Sequence, residues 1–140
     1  MKAKNYLSEL KKLDRLIENK LFERDQWLAI ATNTTQHLTA DRVQTSRKID
    51  KLGDAVCDYV KVEAEIDAAI DKLVDRRREI IATIETLNVD HYDLLHKVYV
   101  QYWTLQDVAD AQDKTYSSIT TMHGRALKCV QAILDKRENG

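Results

Sequence analysis

Apolar residues recur every three or four positions along most of the chain, which is the spacing of a helix with one buried face. Proline is absent and glycine occurs only three times, so few residues interrupt helical segments. From Lys2 to Ala31 this spacing predicts a first helix about 45 Å long. Its clearest apolar stripe consists of Leu10, Leu13, Ile17 and Leu21.

A second and longer helix is predicted from Ile49 to Leu87, with a length of about 60 Å. Its apolar positions follow a heptad seam that only Glu63 and Arg77 interrupt. The seam consists of Ile49, Leu52, Val56, Tyr59, Glu63, Ile66, Ile70, Leu73, Arg77, Ile80, Ile84 and Leu87. We expect it to pair with the first helix as a long antiparallel helical hairpin, a coiled coil. Because the first helix is shorter, the rest of the seam is free for a second copy or for the C-terminal part of the chain.

Residues 32–48, TNTTQHLTADRVQTSRK, separate the two helices and are rich in threonine. Short hydroxyl and amide side chains compete for backbone hydrogen bonds, which favours turns over helix interiors. We therefore predict a flexible connection in this stretch. A binding loop that uses Arg42, Arg47 and Lys48 is the alternative, although no motif supports it.

Two short helices joined by a tight turn are predicted from Thr104 to Val130. Thr104 and Thr115 can each cap a helix N-terminus, and Asp107 adds favourable negative charge to the first turn. The residues between the helices, 112–114, break the apolar pattern. The apolar stripes consist of Leu105, Val108 and Ala109 in the first helix and Ile119, Met122, Ala126, Leu127 and Val130 in the second. A short helix, a turn and a longer helix are the outline of a helix-turn-helix.

A preceding helix, capped by Asn88 or Asp90, should close the core of this module, because two helices alone cannot do so. The predicted fold is therefore all-α, with a long antiparallel helical hairpin (coiled coil) followed by a small helix-turn-helix bundle. The predicted domains are residues 1–87 and residues 88–140.

Charge and chemistry narrow the possible functions. The net charge is −1, and from Asp90 to Gly140 seven acidic residues stand against six basic ones, so one copy alone should bind DNA weakly. Cys57 and Cys129 form no CxxC pair, and we expect both to pack as small apolar residues. No motif predicts catalysis, a cofactor or a metal site, so we expect that the protein is not an enzyme. No signal peptide or membrane-length apolar run is present, so we expect a cytoplasmic protein.

The stretch from Thr104 to Val130 resembles, without a gap, the helix-turn-helix of region 4 in the sigma-70 family, which reads the promoter −35 element. The matching residues are Thr104, Leu105, Val108, Thr115, Ile119, Met122, Arg125, Ala126 and Leu127. The whole chain is similar to small phage and prophage proteins of Gram-positive bacteria, some of which are thought to regulate late genes. The resemblance implies a DNA-binding transcription regulator that works in the bacterial host, as a homodimer or higher homo-oligomer or beside RNA polymerase.

The resemblance also implies where such a regulator would touch double-stranded DNA. The helix that starts at Thr115 would enter the groove, with Arg125 at a basic family position and Lys128 near phosphate. The N–H groups near Thr104 and Thr115 would hold further phosphates, since a helix N-terminus binds anions. The complete set of candidate DNA-binding residues is Thr104, Lys114, Thr115, Tyr116, Ser117, Ser118, Thr120, Thr121, Arg125 and Lys128. Sigma factors place Arg and Glu where this chain has Tyr116 and Ser117, so its target should differ from a −35 element.

Two other functions fit the same pattern. A phage DNA-packaging factor of small-terminase type also combines a helix-turn-helix with an oligomeric coiled coil. A helical adaptor could use the same module to bind protein without touching DNA. A ring of many copies would indicate packaging, a dimer would indicate a regulator, and an adaptor would show no salt-dependent affinity for DNA.

Overall fold

A computed structural model describes the backbone of residues 1–40 and 45–140, and the side chains of residues 1–33 and 49–140. The described residues are almost entirely helical and include no strand, which confirms the all-α prediction. The helices are α1 (Ala3–Ala40), α2 (Thr45–Glu85), α3 (Val89–Leu95), α4 (Leu105–Ala111) and α5 (Tyr116–Asn139), and a π-helical turn (His96–Val100) follows α3 directly.

The two long helices extend into the stretch that was predicted to be a flexible connection. Helix α1 runs through to Ala40 and α2 begins at Thr45, so most of residues 32–48 is helical and that prediction is wrong over these parts. Thr32 shows how a threonine fits the helix, since its hydroxyl donates to the Leu28 carbonyl one turn earlier (2.9 Å). Residues 41–44, and with them Arg42, lie outside the described residues, as do the side chains of Arg47 and Lys48.

The chain forms two compact units. The first, called the head here, consists of residues 1–13 and 73–140, and the second, called the arm, consists of residues 14–72. These units do not follow the predicted boundary at residues 87 and 88. The start of α1 and the end of α2 contribute to the same buried cluster as the C-terminal helices, so they belong to the head.

In the arm, ion pairs and a thin apolar seam connect α1 to α2. Lys20 pairs with Glu65, and Arg24 lies 3.6 Å from Glu63. In the described parts of the arm, residues 14–33 and 49–72, the buried apolar residues are Ala55, Val62, Ile66 and Ala69.

At two positions the buried seam of α2 lies one residue before the predicted seam. Ile66 is buried as predicted, but Val62 and Ala69 are buried where Glu63 and Ile70 were expected. Ile70 is instead 41% exposed, and Glu63 lies half-buried beside Arg24. A shift of one residue turns a helical position by about 100°, so the larger apolar side chains lie on the flank of the seam.

The head has its main core where four helical segments meet. Residues from the start of α1, the end of α2, the end of α3 with the π-helical turn, and α5 pack together there. The buried members are Ala3, Tyr6, Leu7, Leu10, Ile80, Ile84, Leu95, Tyr99, Val100, Ala126, Val130 and Leu134. This core holds α5 against the two long helices, while the outward side chains of its first half stay exposed.

A buried polar network crosses the main core of the head. Thr83 is fully buried, and its hydroxyl lies 3.1 Å from the Tyr6 hydroxyl and accepts from Arg137 (2.9 Å). It also donates to the Glu79 carbonyl one turn earlier (2.9 Å). Three helices are thereby joined through one side chain whose polar group would be costly to bury alone.

The π-helical turn ends at a residue with left-handed backbone. Tyr102 has a φ of 64°, which is strained for a bulky side chain. The Trp103 N–H donates to the Lys97 carbonyl (2.9 Å), six residues back, because the preceding turn is wider than an α-helical one. The chain thereby reverses sharply into α4.

The two cysteines do not pack as predicted. Cys57 on α2 and Cys129 on α5 are both exposed free thiols. The expectation that both behave as small apolar residues beside the apolar stripes is therefore not met. Cys129 precedes the buried Val130, whereas Cys57 lies two residues after the buried Ala55, about 200° further around α2.

Candidate nucleic-acid interface

Helix α4 begins at the predicted Thr104 cap, which two reciprocal hydrogen bonds form. The Asp107 N–H donates to the Thr104 hydroxyl (3.0 Å), and the Thr104 N–H donates to the Asp107 carboxylate (3.0 Å). The Thr104 backbone N–H, and then its hydroxyl, lower the pKa of Asp107 below its usual value. The cap uses two N–H groups at this helix start, so these two are not free to bind a phosphate.

The turn between α4 and α5 is a regular helix stop built on Asp113. This residue has a φ of 53°, and the Lys114 N–H donates to the Ala109 carbonyl (3.0 Å). Aspartate tolerates the left-handed conformation better than most residues, so the turn forms without a glycine. Lys114 is exposed at this turn.

Helix α5 starts at the cap predicted for it. The Ser118 N–H donates to the Thr115 hydroxyl (3.1 Å), and the inward face of the helix is anchored by Ile119, which is fully buried. Ile119 belongs to a second cluster of buried residues, which joins α3, α4 and α5: Leu94, Val108, Ala109 and Ile119. These contacts fix the first turns of α5 while its outward side chains stay exposed.

Five of the candidate DNA-binding residues line one groove of 530 Å³ between α3 and α5. These are Thr115, Ser117, Ser118, Thr121 and Arg125. The opposite wall, which the sequence did not suggest as part of a site, carries Asn88, Asp90 and His91. Asn88 was predicted only as a cap, and its side-chain oxygen does accept from the His91 N–H (2.9 Å).

The other five candidates lie outside this groove. Thr104 and Lys114 are at the ends of α4, Tyr116 is 52% exposed, and Thr120 is half-buried. Lys128 lines a second groove, of 640 Å³, on the other side of α5. The two grooves flank the outward ridge of this helix.

The hydroxyls of Thr120 and Thr121 both donate to the Ser117 carbonyl, each at 2.9 Å. Their protons are therefore directed into the helix, and only oxygen lone pairs face outward. A partner group would have to donate to them. Arg125, one turn later on the same helix, carries guanidinium N–H groups that can donate to the partner.

Charge is distributed unevenly between the head and the arm. The head contains thirteen Lys and Arg against eleven Asp and Glu, a net charge of +2. The arm contains nine against twelve, a net charge of −3. The segment from Asp90 alone suggested an acidic module, but the four lysines among residues 1–13 belong to the same unit and reverse the sign.

Behind the interface, a buried pair links the π-helical turn to α5. The Tyr99 hydroxyl lies 2.7 Å from His123 Nε2. Burial raises the pKa of Tyr99 to about 12. Burial, and secondly the positive charge of Lys4, lower the pKa of His123. Both shifts favour a neutral pair in which the phenol donates to the imidazole.

Within the described part of the chain, no three His, Cys, Asp or Glu side chains come together as metal ligands would. None of its helices is long and apolar enough to cross a membrane. Comparisons with protein-family models, with curated proteins and with solved structures find no match to this chain.

Proposed function

We propose that the protein is a DNA-binding transcription regulator of phage or prophage origin that reads DNA with α5. The observation that carries this proposal is the outward face of α5, where hydroxyl side chains and Arg125 lie exposed on a helix whose start is capped and whose inner face is buried. A recognition helix presents its N-terminal residues to base edges in this way. The regulator acts alone or beside RNA polymerase.

In this proposal α4, the turn at Asp113 and α5 form a helix-turn-helix similar to region 4 of the sigma-70 family. The capped start of α4 and the left-handed turn residue support it, since both define the angle between the helices. Because the outward lone pairs of Thr120 and Thr121 need donors, these residues suit the amino groups of adenine or cytosine in the major groove. Arg125 suits guanine or a phosphate.

We further propose that the arm is a helical hairpin through which two copies associate. Lys20 on α1 pairs with Glu65 on α2, and Arg24, one turn later on α1, pairs with Glu63, which comes earlier on α2. This order is the one expected of antiparallel helices. Among the arm residues whose side chains the structure describes, eight large apolar ones are exposed: Leu16, Phe22, Leu28, Ile30, Ile49, Val56, Val60 and Ile70. Identical apolar faces can cover each other in a symmetric dimer, which would also double the DNA contacts.

The test of the DNA-binding proposal is a binding selection on fragments of the source genome, at low and physiological salt, with and without RNA polymerase. The wild-type protein should enrich a discrete site. The double variant Thr121→Glu, Arg125→Glu should lose it, because two carboxylates would replace groups that face the bases and phosphates. Both positions are exposed, so the fold should survive.

A matched control carries the same change of charge away from the proposed DNA-reading part of α5. Arg78→Glu on α2 together with Asn139→Glu, at the last residue of α5, alters two exposed head residues and should keep the enriched site. Loss of the site in both double variants would show a nonspecific effect of charge. If the wild-type protein enriches no fragment under any condition, the DNA-binding proposal is wrong.

A further inference from the structure

The second groove beside α5 joins residues from opposite parts of the sequence. It is lined by Lys2, which directly precedes α1, by Lys4 in the first turn of α1 and by Lys128 from α5, together with Ala3 and Leu127. All three lysines are exposed, and no acidic residue is among the described residues that line the groove. The result is a lysine rim that no local sequence pattern indicates.

Specific contacts hold the beginning of α1 against α5. The Ala3 N–H donates to the Gln131 side-chain oxygen (2.8 Å), and the Gln131 amide donates to the Met1 carbonyl (3.1 Å). Ala3 itself is buried, as is Leu7 one turn later. The backbone that carries Lys2 and Lys4 is therefore fixed on α5, so these lysines keep a defined place beside Lys128.

The rim continues the proposed DNA-binding face. Lys128 follows Arg125 by three residues, so the two side chains are neighbours on the surface of α5. Lys4 lies close enough to His123 that its charge contributes to the lowered pKa of that residue. Beyond Lys128 on α5, and away from Arg125, the carboxylate of Asp135 accepts from Gln131 (3.0 Å) and introduces negative charge.

We propose that Lys2 and Lys4 form, with Lys128, a second contact to the DNA backbone beside α5, so that the beginning of α1 is part of the DNA-binding surface. The inference rests on the proposed function. A helix in the major groove has a phosphate strand on each side, and the lysine rim lies along one side of α5. Its three ammonium groups would pair with phosphates of that strand and would read no sequence.

The experiment compares two double variants of the full chain that carry the same loss of charge. Lys2→Gln, Lys4→Gln removes the rim lysines, while Lys11→Gln, Lys12→Gln removes two exposed lysines of α1 that line neither groove beside α5. Affinity for a duplex enriched by the wild-type protein is measured by fluorescence anisotropy between about 50 and 200 mM salt. Each phosphate contact contributes about 0.9 to the slope of log affinity against log salt.

The rim variant should lower this slope by about 1 to 2, with an unchanged preference for the enriched duplex over a scrambled one, and the control should keep the wild-type slope. Equal slopes in the two variants would overturn the inference while leaving DNA binding by α5 intact. If the wild-type protein binds no duplex, the proposed function fails and the rim inference fails with it. If only the preference for sequence changes, the lysines do not act on the backbone.

Discussion

Asp113 shows how a single residue sets the geometry of the candidate interface. Its left-handed backbone reverses the chain between α4 and α5, and the Lys114 N–H closes the turn on the Ala109 carbonyl. Glycine adopts this conformation without steric cost, whereas aspartate does so with some strain. Aspartate at this turn therefore stabilises the fold less than glycine would.

Replacing Asp113 with glycine should raise the free energy of unfolding by about 0.5 to 1 kcal/mol, because the left-handed backbone is already in place. Chemical denaturation followed by circular dichroism would measure this. The control is Asp110→Gly, inside α4, which should lower stability by a few tenths of a kcal/mol, since glycine disfavours helix interiors. Destabilisation by both substitutions would show that the turn needs the aspartate side chain.

The pair formed by Tyr99 and His123 should make stability depend on pH. Because the folded protein holds the pKa of His123 below its usual value of 6.5, the unfolded chain takes up the proton first as the pH falls. The free energy of unfolding therefore keeps the whole contribution of the neutral pair above about pH 6.5, and this contribution decreases as the pH falls below that value. The melting temperature of the wild-type protein should therefore drop between pH 7.5 and 5.5 by more than that of His123→Gln. Equal drops would exclude His123 as the cause.

At the residue scale, the caps were predictable and the strained turn was not. Thr104, Thr115 and Asn88 cap their helices through bonds to residues three positions on, so the local sequence contains all the partners. Tyr102 has a left-handed backbone without any glycine to signal it, and a wider π-helical turn precedes it. Tyr99 and Val100 of that turn, with Tyr102, pack in the main core, whose other members lie far away in the sequence.

At the scale of the helices, the large apolar side chains of the arm part of α2 do not all occupy its buried positions. The buried positions Ala55 and Ala69 carry small side chains, while the larger Val56 and Ile70 are 45% and 41% exposed. A pattern search that weights large apolar residues chooses the exposed flank, which explains the error in the predicted seam. The same flank supports the proposal that a second copy packs on the arm.

Substitution of Val60→Glu together with Ile70→Glu should dissociate the proposed dimer, because it places charges on the exposed apolar flank of α2. Light scattering coupled to size-exclusion chromatography would show the mass falling from that of a dimer, or of a larger ring, to about 16 kDa. The control is Lys51→Glu, Lys61→Glu, at two exposed positions that are already polar. A monomeric wild-type protein would contradict the dimer proposal directly.

At the scale of the whole molecule, the head is assembled from distant parts of the sequence. Tyr6, Thr83 and Arg137 meet in one network although more than 50 residues separate each from the next. Periodicity predicts that each helix buries a face but does not identify the partner of that face. The lysine rim and the positive charge of the head could therefore not be read from the region after Asp90 alone.

The head should fold without the arm, whereas residues 88–140 alone should not. Those residues lack the α1 and α2 side chains that cover Leu95, Ala126 and Val130. Glu9 and Arg76 are 3.1 Å apart, so a short Gly/Ser linker in place of residues 14–72 should connect the two parts of the head. Cooperative thermal melting of the linked head, and its absence in the fragment, would confirm this. Cooperative melting of the fragment would support the predicted domain at residues 88–140.

In the proposed hairpin, residues 14–72 leave and re-enter the head as one antiparallel pair of segments, so the length of the arm can vary while the head stays the same. Insertion or deletion of seven residues in α1, matched by seven in α2, would preserve the heptad phase of both helices. Relatives of this chain could therefore differ greatly in total length while retaining the same head. An alignment that counts residues from either terminus would misplace the proposed DNA-binding face among them, whereas one anchored on both parts of the head would find it.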